Sequence, residues 1–235
     1  MSNYIVAVDL GQVADYTAIA IIERVPPRPP EGWQTTINRV DPATAAVRAV
    51  ANPYPGKPDY HVRHLERPPL GTKYTAVVAR VQELLGTAPL DVRTTPLVID
   101  RTGVGRGVFD LFKGAGMQPR GITITGGESV SQDADDPLHT RVPKRDLAGC
   151  LVALVQGERL KIAGGLAEGP TLVNEQLHFK VKIHLATGND TYESWRESIH
   201  DDLVLAVAMG CWWGEHRPPV PAPFVGPPRR PFTVR

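Results

Sequence analysis

The run YIVAVDLGQVADYTAIAIIE, Tyr4 to Glu23, limits what this chain can fold into more than any other stretch. Tyr4 to Val8 and Tyr16 to Ile22 are dense in β-branched and aromatic residues, and LGQVAD between them carries the Gly and Asp of a turn. Two strands folded back on each other are expected. Asp9 then stands at the exit of a buried strand, where a carboxylate is costly unless it binds a cation or accepts several hydrogen bonds. Two roles are open to it: a ligand, or a cap for the backbone of its own turn.

At 235 residues, with 42% hydrophobic and 22% charged side chains, the chain suits one sizeable α/β domain and is short for two well-cored ones. No apolar run reaches membrane-spanning length and the MSN start is not a signal peptide, so a cytoplasmic location is expected. Cys150 and Cys211 lie in apolar stretches without CxxC spacing, which points to reduced core residues rather than a disulfide or zinc site. The balance of 26 Lys and Arg against 25 Asp and Glu neither demands nor excludes a polyanionic partner.

Beyond the first hairpin, VPPRPPEGW is a proline-rich connection, Gln34 to Val40 is expected to complete a meander, and Asp41 to Val50 has helical spacing. Tyr60 to Glu66 alternates like a strand. Gly71 to Leu85 reads as an amphipathic helix stopped by Gly86, with Tyr74, Val77, Val78, Val81, Leu84 and Leu85 on one face. Pro96 to Asp100 is a short apolar strand, followed by the glycine turn RTGVGRG, a helix near Val108 to Phe112, and a strand over Ile122 to Thr125. That succession marks a partly parallel sheet with helices on both faces. Glu128 to Thr140 reads as a loop, Pro143 opens a helix to about Val155, Arg159 to Ala163 is an edge strand, and Pro170 to Lys182 is helical. Gly188 to Asp190 is a turn and His200 to Trp213 a last, apolar helix. The tail from Arg217 is too rich in proline to pack, so residues 1–216 form the expected domain and 217–235 a flexible extension.

Asp9, Asp100 and the pair Asp201-Asp202 share one property: each stands at the end of an element. Adjacent parallel strands put their carboxyl ends at one edge of a sheet, where ligands usually bind, so Asp9 and Asp100 are expected to meet there. Ser198-x-x-Asp201 matches a capping box, which would occupy Asp201 with a backbone amide and leave Asp202 the freer ligand; both remain candidates. Converging carboxylates without a Cys/His cluster suit the hard cations Mg²⁺ or Mn²⁺. Two such ions about 3.5 to 4 Å apart would serve phosphodiester cleavage. Arg101, Arg106, Arg141, Lys144 and Arg145 flank these positions and are candidate phosphate contacts. His200 is expected at the surface, and the Trp212-Trp213 pair in the core or against a partner.

VDLGQVADYTAIAI, VIDRTGVGRGVFDLF, VPKRDL and IHDDLVLAVAMG, in this order and at these separations, resemble the nuclease domain of the large terminase subunit of tailed bacteriophages. The resemblance covers roughly Tyr4 to Trp213. It implies an RNase H-like, RuvC-type fold whose mixed sheet opens with an antiparallel hairpin and continues in parallel strands. It also implies a two-metal endonuclease cutting double-stranded viral DNA during packaging in the host cytoplasm. Asp9 takes the place of the first-strand aspartate, Asp100 that of the central-strand aspartate, Asp201 and Asp202 those of the terminal acidic pair, and Lys144 that of a basic residue near DNA. The implied partners are DNA, a separate ATPase domain, the small terminase subunit and the portal. The chain has no GxxxxGK[ST] phosphate loop, so it matches an excised domain or a free-standing nuclease of this type.

Three other readings follow from single features. Gly103-Val104-Gly105-Arg106-Gly107 suggests dinucleotide binding, but it lacks the third glycine at full spacing and an acid about 20 positions later. An actin- or sugar-kinase-like nucleotide-binding domain shares the DLG hairpin, a second aspartate and a Gly-Gly turn, here Gly126-Gly127, though such proteins enclose ATP between two domains. A non-catalytic DNA-binding module of the same fold is the third.

Overall fold

The computed structural model describes residues 3–11, 15–52, 54–103, 105–185 and 200–216. They fall into two compact units. One comprises Met1–Pro26 with Pro58–His216, and the other is described over Pro27–Lys57. The expected turn at 188–190, Ser198 and the tail from Arg217 lie outside the described residues.

The larger unit is built on one eight-stranded mixed sheet. Its strands are β1 (Tyr4–Asp9), β2 (Ala18–Val25), β5 (Asp59–Glu66), β6 (Leu97–Asp100), β7 (Pro119–Thr125), β8 (Ser131–Gln132), β9 (His139–Pro143) and β10 (Leu160–Ile162). They lie in the order β10-β5-β2-β1-β6-β7-β9-β8. β1, β2 and β5 form an antiparallel meander, whereas β6, β7 and β9 run parallel to β1. This is the RNase H-like arrangement, with β1 at the centre.

Burial follows from alternation along the strands, since both faces of the central strands are covered. Ile5, Ala7, Ala20, Ile22 and Val98 face one core; Val6, Val8, Ile19, Ile21, Leu97 and Ile99 face the other. The second core is closed by α1 (Tyr74–Leu85), through Val77, Val78, Val81 and Leu85, and by α2 (Gly105–Gly114), through Val108 and Phe112. The first is closed by α3 (Lys144–Gln156), α4 (Gly169–Leu185) and α5 (Asp202–His216).

α5 is the most deeply placed of these helices. A helix apolar on every side needs burial on every side, and all of Asp202 to Trp212 is buried, together with Gly214. Small residues let it approach the sheet. A Cβ on Gly210 would stand 2.5 Å from Ile22 Cδ1 and 3.2 Å from Ala7 Cβ, so the helix backbone rests almost directly on β1 and β2. The far end of α5 is held by Glu215, which accepts a hydrogen bond from the Tyr60 hydroxyl at 2.9 Å and from Arg159 at 2.6 and 3.0 Å.

The smaller unit departs from the expected pattern. β3 (Thr36–Val40) does not extend the meander; it pairs with β4 (Val47–Ala51) in a separate two-stranded sheet, and β5 takes the third meander position. The expected helix over Asp41 to Val50 is a turn followed by β4. The Asp41 carboxylate accepts from the amides of Ala43 and Thr44 at 2.9 and 3.2 Å, and this local bonding competes with helix formation. The loop expected at Glu128 to Thr140 carries the short strand β8 and the start of β9.

Filling the contact under α5 tests this packing. Gly210→Val is expected to cost about 1–3 kcal/mol by overpacking against Ile22 and Ala7, read as a thermal midpoint several degrees lower; an unchanged midpoint would mean the helix does not rest on β1 and β2 as described.

Candidate metal centre

β1 and β6 are neighbours in parallel register, with Val8 opposite Ile99, so Asp9 and Asp100 are the last residues of adjacent strands at the same edge of the sheet. Both are buried, at 6% and 8% exposure. α5 begins at that edge and brings Asp202, also 6% exposed. Lys144 follows directly on β9, a further strand parallel to β1, and so joins the same edge.

In the turn after β1, Gly11 is held by side chains other than that of Asp9. The amide of Gly11 in that turn donates to Thr17 Oγ1 at 3.2 Å, and the Gly11 carbonyl accepts from the Tyr74 hydroxyl at 3.0 Å. A Cβ at Gly11 would run into the backbone of Asp15 and Tyr16, which accounts for the glycine. The Asp9 carboxyl is turned instead toward other acids. Burial first, then the charges of Asp100, Asp202 and Asp201, push its pKa well above the usual carboxylate range. The side chains of Asp9 and Asp100 interact directly, a contact that raises the pKa of Asp9 and lowers that of Asp100. Asp100 is also raised by burial, offset by the hydrogen bonds of Thr102 and by the positive charge of Lys144. Its Oδ1 accepts from the Thr102 amide at 2.7 Å, and Thr102 Oγ1 in turn accepts from the Ile124 amide at 2.7 Å, which locks the end of β6 to β7.

The two acids at the last helix divide their tasks. Asp201 holds the helix start through its backbone carbonyl, which accepts from the Leu205 amide at 2.9 Å, but its carboxylate is bound by Lys144 Nζ at 2.9 Å. The amide that a capping side chain would take, that of Val204, donates to Glu175 Oε2 on α4 at 3.0 Å. Asp202 is the acid left over. Among the described residues its Oδ2 is buried without a hydrogen-bond partner, with His200 Nδ1 3.8 Å away, and burial together with the Asp201 charge pushes its pKa up to about 6.

Among the described residues no three His, Cys, Asp or Glu side chains yet stand around one point as ligands. Lys144 holds the Asp201 carboxylate to one side. The donors nevertheless fit a hard divalent cation, being carboxylates only, buried, mutually repelling and including an orphaned oxygen. A bound cation would relieve their mutual repulsion. Asp9, Asp100 and Asp202 would hold it, with Asp201 within reach beside Lys144.

The candidate phosphate contacts are not equivalent. Arg101 is largely covered and engaged, 3.2 Å from Asp136 and over the Phe109 ring. Arg141 and Arg145 have side chains 56% exposed; Arg141 stands 3.9 Å from Asp133, and Arg145 reaches the Glu128 carbonyl and Asp146. Arg106 belongs to α2, and its side chain lies outside the described set. His200 is half-exposed, as expected, and packs edge-on against Tyr16. Trp212 is in the core, and Trp213 packs against it.

Glu175 escaped the sequence reading. It occupies the apolar stripe Leu172, Glu175, Phe179 of α4, all three residues no more than 3% exposed. An acid at helical spacing within such a stripe is the signal that could have found it.

No family model matches the chain, and no curated protein matches its sequence. Among solved structures it is similar to the large terminase nuclease from thermophilic phage G20c, at 17% identity and a TM-score of 0.46, over 91% of this chain and 82% of that one. It is also similar to the large terminase nuclease from that phage with bound zinc, at 17% identity and a TM-score of 0.43, over 91% and 81%. At these values the chemistry of the site rests on this chain's own side chains.

Removing one charge from the cluster has a defined sign. The folded state raises Asp202 from 3.8 to about 6, so it binds that proton more tightly than the unfolded chain does. The resulting loss of stability is absent below about pH 4, grows up to about pH 6 and is constant above. In chelator at pH 7, Asp202→Asn is therefore expected to be more stable than wild type by roughly 3 kcal/mol, with the difference gone at pH 4; denaturant melts at the two pH values measure it.

Proposed function

We propose that the chain is a metal-dependent endodeoxyribonuclease that hydrolyses phosphodiester bonds of double-stranded DNA, of the kind that cuts genomes during terminase-driven packaging of tailed bacteriophages. The observation that supports it is the burial of Asp9, Asp100 and Asp202 against one another at the carboxyl edge of the sheet, with Asp202 Oδ2 left without a hydrogen-bond partner among the described residues. Buried like charges are costly, and a site that keeps them is built for a cation.

Bound there, two Mg²⁺ or Mn²⁺ ions would supply an activated water and stabilise the leaving oxygen of the phosphodiester. The chain's own residues do the rest. Asp9 and Asp100 face the reacting centre from rigid strand ends, and Thr102 fixes the orientation of Asp100 through a hydrogen bond on one carboxylate oxygen. Asp202, on a helix buried on every side, cannot swing away. Lys144 neutralises part of the acidic cluster and holds Asp201 to one side. Arg101, Arg106, Arg141, Lys144 and Arg145 are the proposed contacts to the DNA backbone. The proposed assembly partners are an ATPase domain, a small terminase subunit and a portal.

Incubation of the chain with supercoiled plasmid and Mn²⁺ or Mg²⁺ should give nicked and linear products. Asp9→Ala and Asp100→Ala should each slow this by about 100-fold or more, the scale of losing a catalytic electrostatic group. An uncut plasmid, or mutants that cut as fast as wild type, would sink the nuclease reading, and ATP hydrolysis by the chain would favour a kinase-like domain instead. Arg141→Ala and Arg145→Ala should weaken DNA binding for all sequences alike and reduce the slope of log affinity against log salt by about 1 each, measured by fluorescence anisotropy at several salt concentrations.

A further inference from the structure

Two features around Asp202 are not used by the metal centre as described: the buried acid Glu175 and the arginine that faces it. Glu175 Oε2 takes the Val204 amide at 3.0 Å, while its Oε1 has no hydrogen-bond partner and stands 3.6 Å from Arg67 Nη1. Arg67 follows β5 directly. It also lies 3.9 Å from Glu168 and over the Tyr16 ring at 4.4 Å. Tyr16 meets His200 edge-on at 5.1 Å, and His200 reaches Asp202 at 3.8 Å. Two chains of contact therefore leave the Arg67–Glu175 pair and converge on the first turn of α5, one through the backbone and one across the rings.

A neutral cap would satisfy the Val204 amide equally well. A carboxylate at this position is opposed first by burial and then by the charge of Asp202, so it needs a counter-charge. Arg67 supplies it. An ion pair fastens the capping oxygen to the end of β5, and so fixes α5 to the sheet at the end where Asp202 must be placed. Without that tie the first turn is the part of a helix most free to shift.

We infer that Glu175, anchored by Arg67, is a positioning residue: it fixes the first turn of α5 so that Asp202 faces Asp9 and Asp100, without itself contacting the ion. This rests on the metal-centre reading above. Groups behind a ligand are worth about 10- to 100-fold in metal affinity when removed.

Mn²⁺ binding to the full chain, followed by the electron paramagnetic resonance of free Mn²⁺, tests it without relying on activity. Glu175→Ala should bind Mn²⁺ about tenfold or more weakly. Glu175→Gln, whose amide oxygen still accepts from Val204 but which gives up the ion pair, should fall by about fivefold, as should Arg67→Ala. Wild-type affinity in Glu175→Ala or Arg67→Ala overturns the inference, because the pair would then be structural only. A loss in Glu175→Gln as large as in Glu175→Ala also overturns it, because the carboxylate would then be a ligand. If Glu175→Ala does not fold, the Arg67→Ala and Glu175→Gln results decide by the same criteria. A wild type that neither binds Mn²⁺ nor cuts DNA removes the metal-centre reading and this inference with it, an outcome distinct from failure of the variants alone.

Discussion

Two carboxyl groups on neighbouring parallel strands, Asp9 and Asp100, are held where water cannot separate their charges. Everything around them can be read as a response to that constraint. Lys144 offsets part of the cost, and Thr102 keeps Asp100 from turning away. A fold selected only for stability would place apolar residues at these positions, since replacing buried charges by well-packed hydrophobes is commonly neutral or favourable.

The same economy governs α5. Its sides are core, pressed so closely on β1 and β2 that Gly210 leaves no room for a methyl group. Its first turn carries the acids. One helix thus couples the packing of the larger core to the geometry of the cluster. Rigidity at the chemical end comes from burial along the whole length, while the opposite end is clamped by Tyr60 and Arg159.

Much of this was legible in the residues. The first hairpin, the strand ending in Asp100, the amphipathic helix with Val77 and Val81 and the apolar last helix follow from periodicity and from turn residues, which report local structure directly. Asp9 and Asp100 could be paired because parallel neighbours end at one edge. Misread were segments where local bonding decides: Asp41 captures two amides and ends what spacing alone makes a helix, and β3 finds β4 rather than the meander. Glu175 and Arg67 were invisible for a different reason. Their meaning lies in what faces them across the fold, and no window of sequence contains both partners.

The position of Asp9 and Asp202 at opposite ends of the larger unit's chain path has a consequence for how the cluster comes into being. The trough of Ala7, Ala20 and Ile22 is formed early in the chain, yet its filling is the last described helix. Until α5 seats there, the first-made strands are bare on one side and the third acid is missing. The acidic centre therefore works as a record of completed folding: a molecule has the full set of carboxylates only when its most distant segments have found each other, and pairings at such sequence separation are slow to form.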